Sequence, residues 1–426
     1  MDSENWLLPY APVAVFFLLL IAIYLTTRIP ILIRRYSSAS SGWESGIQKV
    51  KQSSNEKQEN SSDVLDEYTN IEPRENFILE HEEPIKLRPF KPRYHLTMGL
   101  ENTAISDFIL LDKTQRSRLH LRRQLLATNR HDILAHNPRA GPSILELYTW
   151  LTSTYLPRRY PSIFQLQQPP SEPFPHPCPL LFNTSTNTHL PLIPSPSPLD
   201  PLSPETALRL LASNIDTDFF ILLPSSPSPS SSPSPSSPSS PPTQPKYTLE
   251  AFINCFPSGF NTRSKLGLPL AEIHTPVPGY KEKLEKSMDR FFAKLETGRM
   301  VRRANWTVTT TRELFVMEGT HGDVQQHRGE RDDDHPEKLV LEEEIDLSNT
   351  VLRCERQTLH RLPKSGALVF AFKTYTYELE DVKREGSGEE LATAIEGLGL
   401  GSVPEVEVYK RGNVWGKKVA RFLRAE

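Results

Sequence analysis

Hydrophobic residues are most concentrated close to the N-terminus. There Val13–Leu25 reads VAVFFLLLIAIYL, and no charged side chain occurs from Asn5 to Thr27. About 20 apolar residues suffice for a helix to cross the hydrocarbon core of a bilayer. Arg28 and further arginines follow the apolar run, and positive charge favours the cytosolic side of a membrane. The pattern predicts a transmembrane anchor over residues 1–36 of a single-pass protein whose main domain is cytosolic, with the endoplasmic reticulum as one candidate membrane.

A cleaved signal peptide is the alternative interpretation of the same stretch. Signal peptides begin with a positively charged segment and end at a site of small residues. The residues before this apolar run include Asp2 and Glu4 but no lysine or arginine, and no small-x-small site follows the run. The sequence therefore favours an anchor that stays in the protein.

Polar and proline-rich stretches divide the rest of the chain. Residues 37–83 are rich in Ser, Glu, Gln, Lys and Asn, which predicts a disordered polar linker before a domain at 84–426. A Pro/Ser-rich insertion at 224–245 cannot build a core. It lies between two predicted strands, Asp218–Leu223 and Tyr247–Phe256, so we expect it to leave the surface of one domain.

Within that domain the apolar spacing alternates between helical and strand periods. It predicts helices at Ala104–Leu111, Gln115–Leu126, Ser143–Tyr155, Ala207–Ser213, Val277–Leu295 and Glu389–Leu398. Asn305–Thr311 reads as a strand, and Val351–Leu359 and Ala367–Leu379 read as the two strands of a hairpin. The predicted fold class is α+β, with an antiparallel sheet flanked by helices and preceded by one transmembrane helix.

Composition narrows the function only a little. Hydrophobic residues make up 37% of the chain, the 39 prolines account for part of the deficit, and the net charge is -3. This near balance argues against a mainly electrostatic role on nucleic acid. The three cysteines, Cys178, Cys255 and Cys354, are widely spaced and form no CxxC pair, which argues against a disulfide framework or a cysteine-based zinc site.

The densest candidate chemistry surrounds His274, in the segment IHTPVPGY. Two prolines stiffen the backbone after this histidine and Gly279 permits a sharp turn. Such a histidine is either a metal or haem-iron ligand or a hydrogen-bonded structural residue. His95 and Met98 are weaker candidate ligands, because packing explains each of them as well. Cys178 is weaker because it lies in a proline-rich loop.

Two further groups of polar residues have alternative interpretations. Polar residues lie on or directly beside predicted strands, where they can clamp carboxylates or form cross-strand ion pairs: Arg303, Asn305, Arg353, Glu355, Arg356, Gln357 and Arg361. Asp332–Asp334 suggests either a metal-dependent transferase or a solvated loop, and the transferase would need a lumenal domain. No Walker loop, GxGxxG, HExxH or GxSxG motif occurs.

Several blocks resemble the haem-dependent oxidative N-demethylases, the relatives of the catalytic subunit of dimethylamine monooxygenase. They are YHLTMGL (94–100), LPRRYP (156–161), CFPS (255–258), KLGLPLAEIHTPVPGY (265–280), DRFF (289–292), RANW (303–306) and RCERQTLHRLPKSGALVF (353–370). The resemblance implies a PAS-like fold that holds haem b. It also implies oxygen activation at the iron with electrons from a separate reductase, and demethylation of a small amine.

The resemblance also suggests roles for individual residues. His274 matches the histidine of the IHxPVPGY block and is the expected iron ligand, a role inferred from its chemistry. Arg303, Arg356 and Arg361 match family arginines and are expected to bind the haem propionates or to gate the pocket. The expected polar residues of the catalytic pocket are Gln357, Thr358 and Asn305.

Some features depart from the family pattern. Phe260 and Lys373 stand where a tryptophan and an arginine are expected, which puts the substrate pocket and the reductase contact in question. A non-enzymatic sensor of haem or another small ligand, built on the same PAS-like scaffold, is therefore the alternative function.

Overall fold

The computed structural model describes residues 67–168, 179–192, 202–225, 245–322 and 345–425. All of them belong to a compact unit that spans Val64–Glu426. The predicted anchor, Cys178 and the Asp332–Asp334 run lie outside the described residues.

The membrane assignment made from the sequence is corrected. None of the helices in the described part of the chain is long and apolar enough to cross a membrane. The transmembrane helix in the predicted fold class is therefore not supported. The same holds for single-pass attachment to a membrane and for the localisation derived from it. The α+β class itself is present, as a large antiparallel sheet with helices around it.

Ten strands account for both sheets of the described residues. They are β1 (Glu101–Thr103), β2 (Leu134–His136), β3 (Phe164–Gln167), β4 (Leu180–Asn183), β5 (Thr188–Pro191), β6 (Asp218–Pro224), β7 (Tyr247–Ile253), β8 (Met300–Thr309), β9 (Val351–Arg361) and β10 (Leu368–Glu378). The main sheet has seven strands in the order β1-β8-β9-β10-β6-β7-β2, and a small sheet has the order β3-β4-β5. All neighbouring strands are antiparallel.

Helices cover the main sheet. The α-helices are α1 (Gln115–Thr128), α2 (Arg130–Ile133), α3 (Gly141–Trp150), α4 (Leu156–Arg159), α5 (Pro204–Asn214), α6 (Leu270–Ile273), α7 (Tyr280–Lys283), α8 (Glu285–Lys294), α9 (Leu379–Arg384), α10 (Gly388–Glu396), α11 (Val406–Tyr409) and α12 (Gly412–Arg424). A π-helical segment at Leu151–Tyr155 connects α3 to α4. Short 3-10 turns occur at Leu79–His81, Ile105–Asp107, Pro138–Ala140, Arg263–Lys265, Leu347–Asn349 and Leu398–Leu400.

The hairpin of β9 and β10 is the centre of the main sheet and confirms the strand pairing predicted there. The register runs from Arg361 opposite Leu368 to Val351 opposite Glu378. Gly366 has φ 67°, a value that glycine adopts without strain, and its N–H donates to the Leu362 carbonyl over 3.1 Å. The alternating Val, Leu, Phe and Tyr residues of both strands bury side chains on two faces.

Each face of the sheet has its own covering. One face packs against α3 and α5, and this core contains Ile144, Leu147, Leu208 and Leu211. A second core joins Trp306 and Leu352 of the strands to Trp415 and other residues of the C-terminal helices. The third cluster lies between the strands and α6–α8, where an open space remains that is described below.

Packed structure begins before Pro84, the boundary that the sequence suggested. Tyr68, Ile71 and Phe77 are each less than 10% exposed. The Tyr68 hydroxyl lies 2.7 Å from Nδ1 of His360 on β9. The boundary was placed too late because these apolar residues are sparse among charged ones and show no periodicity.

The Pro/Ser-rich insertion joins two strands that pair with each other. β6 and β7 form a ladder that reaches Pro224 opposite Tyr247. Beyond the ladder, the Ser225 N–H donates to the Lys246 carbonyl over 2.7 Å. The chain therefore leaves and re-enters the sheet at one point, while residues 226–244 lie outside the described ranges.

Candidate functional site

The paired strands β8 and β9 present a gradient from apolar to charged side chains on one face. Val301 is opposite Leu359, Arg303 is opposite Gln357, Asn305 is opposite Glu355 and Thr307 is opposite Arg353. Every second residue of a strand faces the same side, so all eight share a face. The face is apolar at one end and densely polar about 20 Å further along, since a strand rises about 3.3 Å per residue.

This face forms the floor of a cavity of about 420 Å³. The apolar end of the floor continues through Phe220, Leu222, Leu249 and Phe370. The cover over that end is formed by Leu270, Tyr280, Leu284, Met288 and Phe292. The polar end is closed by Tyr94, His321, Tyr409 and Lys410. The cavity is therefore suited to an amphipathic ligand with its charges at one edge.

His274 lines the cavity at the end of α6. Pro269 directly precedes this short helix and forms a β-bridge to Thr248 of β7, which fixes the helix against the sheet. Nδ1 of His274 lies 2.8 Å from the Leu270 carbonyl oxygen. A carbonyl only accepts, so Nδ1 carries the proton and the lone pair is on Nε2.

Two further features hold the His274 ring. Its plane stacks on Tyr280 with 4.6 Å between ring centres and 9° between planes. Gly279, at φ 73°, allows the turn that brings Tyr280 back over His274. Burial lowers the pKa of His274, and the nearby cations Arg303 and Lys265 lower it further, so the imidazole is neutral at pH 7.

Arg303 enters the middle of the cavity without a counter-charge. It forms no ion pair or side-chain hydrogen bond within the described residues, and its Nε is buried without a partner. A buried guanidinium N–H that lacks an acceptor costs free energy. The side chain is therefore placed to bind an anionic ligand group in the cavity.

Lys410, directly after α11, is a second cation at the polar end. It is 4% exposed, and its Nζ donates to the Trp306 carbonyl and, over 3.3 Å, to Oδ1 of Asn305. Its ammonium also lies 5.2 Å from the centre of the Tyr94 ring. Burial lowers the pKa of Lys410 to about 8, and Arg303 contributes to the shift.

Residues of β9 complete the polar end. Gln357 donates from Nε2 to Oε2 of Glu355 over 2.9 Å. Arg353 is 2% exposed and donates to backbone carbonyls, including Phe256 over 2.8 Å and Leu314 over 3.2 Å. Burial lowers the pKa of Arg353 to about 10, although the nearby carboxylate of Glu355 acts in the opposite direction. His321 lies beside these cations, and burial lowers its pKa to about 4.

Of the seven residues for which the family resemblance suggested roles, five meet in this cavity: His274, Arg303, Asn305, Gln357 and Thr358. Arg356 and Arg361 do not line it. Arg356 donates to the Asp107 carbonyl over 2.6 Å on the other side of the sheet. Arg361 donates to the carbonyls of Phe292 and Leu295 over 2.6 and 2.7 Å, and therefore fastens the end of α8 to the sheet.

The two remaining described candidate ligands, Met98 and His95, differ in their position relative to the cavity. Met98 lines the cavity, but the side chain of His95 is exposed and not part of the lining. Across the described residues, no group of three or more His, Cys, Asp or Glu side chains is placed to share a metal ion. Of the two histidines proposed as ligands from the sequence, His274 lines the cavity and His95 does not.

Sequence reasoning missed Lys410, His321 and Tyr409. Lys410 is one of several basic residues near the C-terminus, a pattern typical of a solvated helix face. No pattern in the sequence marks it, because its inward position depends on contacts with Asn305 and Trp306 of β8.

Residues 99–420 match the profile of the family described as haem-dependent oxidative N-demethylase, alpha subunit-like. The chain belongs to this family. The match covers most of the described fold, including every residue of the cavity floor. The family's name describes a haem-dependent oxidative enzyme, so haem is the cofactor that membership implies.

The cavity of this N-demethylase family member agrees with a haem ligand in its donor set. Haem iron takes four ligands from the porphyrin and commonly one from a neutral histidine. His274 offers such a nitrogen, with its other ring N–H held by a carbonyl, the usual arrangement for a ligating histidine. The orphaned Nε of Arg303 fits a carboxylate at the edge of the macrocycle.

Proposed function

We propose that the chain catalyses oxidative N-demethylation of an amine with haem b bound in the cavity. The observation that carries the proposal is the fixed, neutral His274, with its lone pair on Nε2, in the wall of an amphipathic cavity. The apolar end between Phe220 and Phe292 would accept the macrocycle. Arg303 would pair with a propionate.

Haem, when bound, would supply oxygen activation with electrons from a separate reductase, so that an N-methyl group is hydroxylated and leaves as formaldehyde. The protein's own contribution is binding, orientation and exclusion of water. The apolar side chains above and below the cavity would keep water from the bound haem.

Polar residues at the other end of the cavity would orient the amine. The amides of Asn305 and Gln357 and the carboxylate of Glu355 lie on adjacent strands in register. Glu355 is the acceptor suited to an amine N–H. Thr358 has a structural role instead, because its hydroxyl donates to the Ala371 carbonyl over 3.4 Å.

Formaldehyde release tests the proposal. The full-length chain, expressed with an adequate supply of haem, is given oxygen, a methylated amine and a surrogate electron donor, and formaldehyde is measured. We expect formaldehyde from the parent and a loss of about 100-fold or more in His274→Ala, because proper ligation of a cofactor controls its chemistry. A chain that retains haem but releases no formaldehyde across methylated amines contradicts the proposal and favours a haem sensor.

A further inference from the structure

The polar end of the cavity contains a cation and a carboxylate that do not pair with each other. Lys410 and Glu355 both face the cavity, and within the described residues neither forms an ion pair. They are nevertheless close, because Asn305 accepts from Lys410 and stands opposite Glu355 in the sheet. Two opposite charges that share a cavity in this way are available to the two charged groups of one ligand.

We propose, resting on the proposed function, that this end of the cavity is a subsite for a zwitterionic amine. The carboxylate of the ligand accepts from Nζ of Lys410, and its N-methylated ammonium donates to Glu355. The substrate class is then N-methyl amino acids rather than simple alkylamines.

The balance of charges in the cavity wall favours N-methyl amino acids over simple alkylamines. The described lining contains four cations, Lys265, Arg303, Arg353 and Lys410, against one carboxylate, Glu355. Even with the two propionates of haem, cations outnumber carboxylates there. A simple alkylammonium adds another positive charge to this site, whereas a zwitterion adds none.

Lys410 has the geometry of a carboxylate donor. An ammonium has three N–H donors, and two of them are used by the Trp306 carbonyl and Asn305. The third is available to a ligand. Its position is fixed by the rings of Tyr94 and Trp306, whose centres lie 5.2 and 5.3 Å from Nζ.

Glu355 is equally well positioned for the ammonium. Oε2 is held by Gln357 over 2.9 Å, which orients the carboxylate and leaves Oε1 for a ligand. Gln357 is itself opposite Arg303 in the register. One end of the ligand is therefore recognised by β9 and the other by the residue that follows α11.

Isothermal titration calorimetry on the full-length, haem-supplied chain tests the subsite. The probes are N-methylglycine and its methyl ester, which keeps the ammonium but lacks the anionic carboxylate. We expect N-methylglycine to bind about tenfold or more tightly, the ratio expected for one hydrogen bond to a charged group. Lys410→Met should remove this preference, while Lys417→Met, a matched change at an exposed lysine of α12, should keep it.

Equal binding of acid and ester by the parent, or binding of neither, overturns the subsite, and this comparison decides the matter even if Lys410→Met fails to fold. A Lys410→Met protein that folds, loses haem and keeps its preference for the acid also overturns it, because Lys410 would then hold a propionate. The haem content recorded beside each titration separates the two proposals. A parent without haem that still prefers the acid supports the subsite and contradicts the demethylase function.

Discussion

His274 shows how much of the candidate chemistry depends on its immediate neighbours. The Leu270 carbonyl selects the tautomer, Tyr280 fixes the ring plane, and burial keeps the imidazole neutral. The sequence could indicate this residue, because prolines and a glycine beside a histidine predict a rigid turn. It could not indicate Arg303 as a cation without a partner or Lys410 as its neighbour, since both depend on contacts between distant segments.

A different histidine makes the stability of the domain depend on pH. His360 is 0% exposed, and burial lowers its pKa to about 3 from an ordinary value of 6.5. Between these two values the unfolded chain binds a proton that the folded chain does not. As far as His360 is concerned, the free energy of unfolding is therefore highest above about pH 6.5. It falls by about 1.4 kcal/mol for each pH unit below that value.

Chemical denaturation across pH 4 to 8 measures that slope. Below about pH 6.5, we expect the free energy of unfolding of His360→Gln to depend less steeply on pH than that of the parent. The difference in slope should correspond to about one proton. His95→Gln, at an exposed position, should follow the parent curve. An unchanged slope in His360→Gln would mean that His360 does not titrate between the folded and unfolded states as described.

At the scale of elements, local patterns predicted those parts of the fold that depend on local sequence. The β9–β10 hairpin follows from two alternating runs around a short turn. The helix predicted over Ser143–Tyr155 continues past Pro157, because a π-helical segment ends there and Pro157 falls in the first turn of α4, where no N–H donor is needed. The basic C-terminus is not only a solvated helix face, since Trp415, Val419 and Leu423 recur every four residues and form a buried side of α12.

The turn between α6 and α7 gives a prediction at this scale. Gly279 has φ 73°, and a Cβ there would lie 2.7 Å from Cγ2 of Val403. Gly279→Ala should destabilise the domain by about 1–3 kcal/mol and weaken haem retention, because the turn sets the stack of Tyr280 on His274. Thermal unfolding and the haem content of the purified protein measure the two effects.

Gly366→Ala is the matched control for Gly279→Ala. Gly366 has a similar φ of 67°, but a Cβ at this position would meet no atom within 4 Å. In Gly366→Ala, backbone strain alone should therefore lower the stability of the domain, and the haem content should be unchanged. Equal haem loss in both variants would indicate that general destabilisation, and not the position of His274, controls haem retention.

The whole molecule brings together segments far apart in sequence to build one cavity. Its floor comes from strands between β6 and β10, its cover from α6–α8, and its charged end from the segment after α11. The sequence blocks around residues 274, 303 and 357 indicated the family and the antiparallel α+β fold. The order of the strands and the inward position of Lys410 could not be predicted, because they depend on which strands pair across long connections.

The most direct test of haem ligation by His274 is the visible absorption spectrum of the full-length, haem-supplied chain, compared with His274→Gly and His95→Gly. We expect a Soret band in the parent and in His95→Gly. In His274→Gly we expect a band that is lost or displaced and that imidazole added to the buffer restores, because a free imidazole can replace the missing ligand. An identical Soret band in His274→Gly without imidazole, or no band in the parent, would contradict a haem site built on His274.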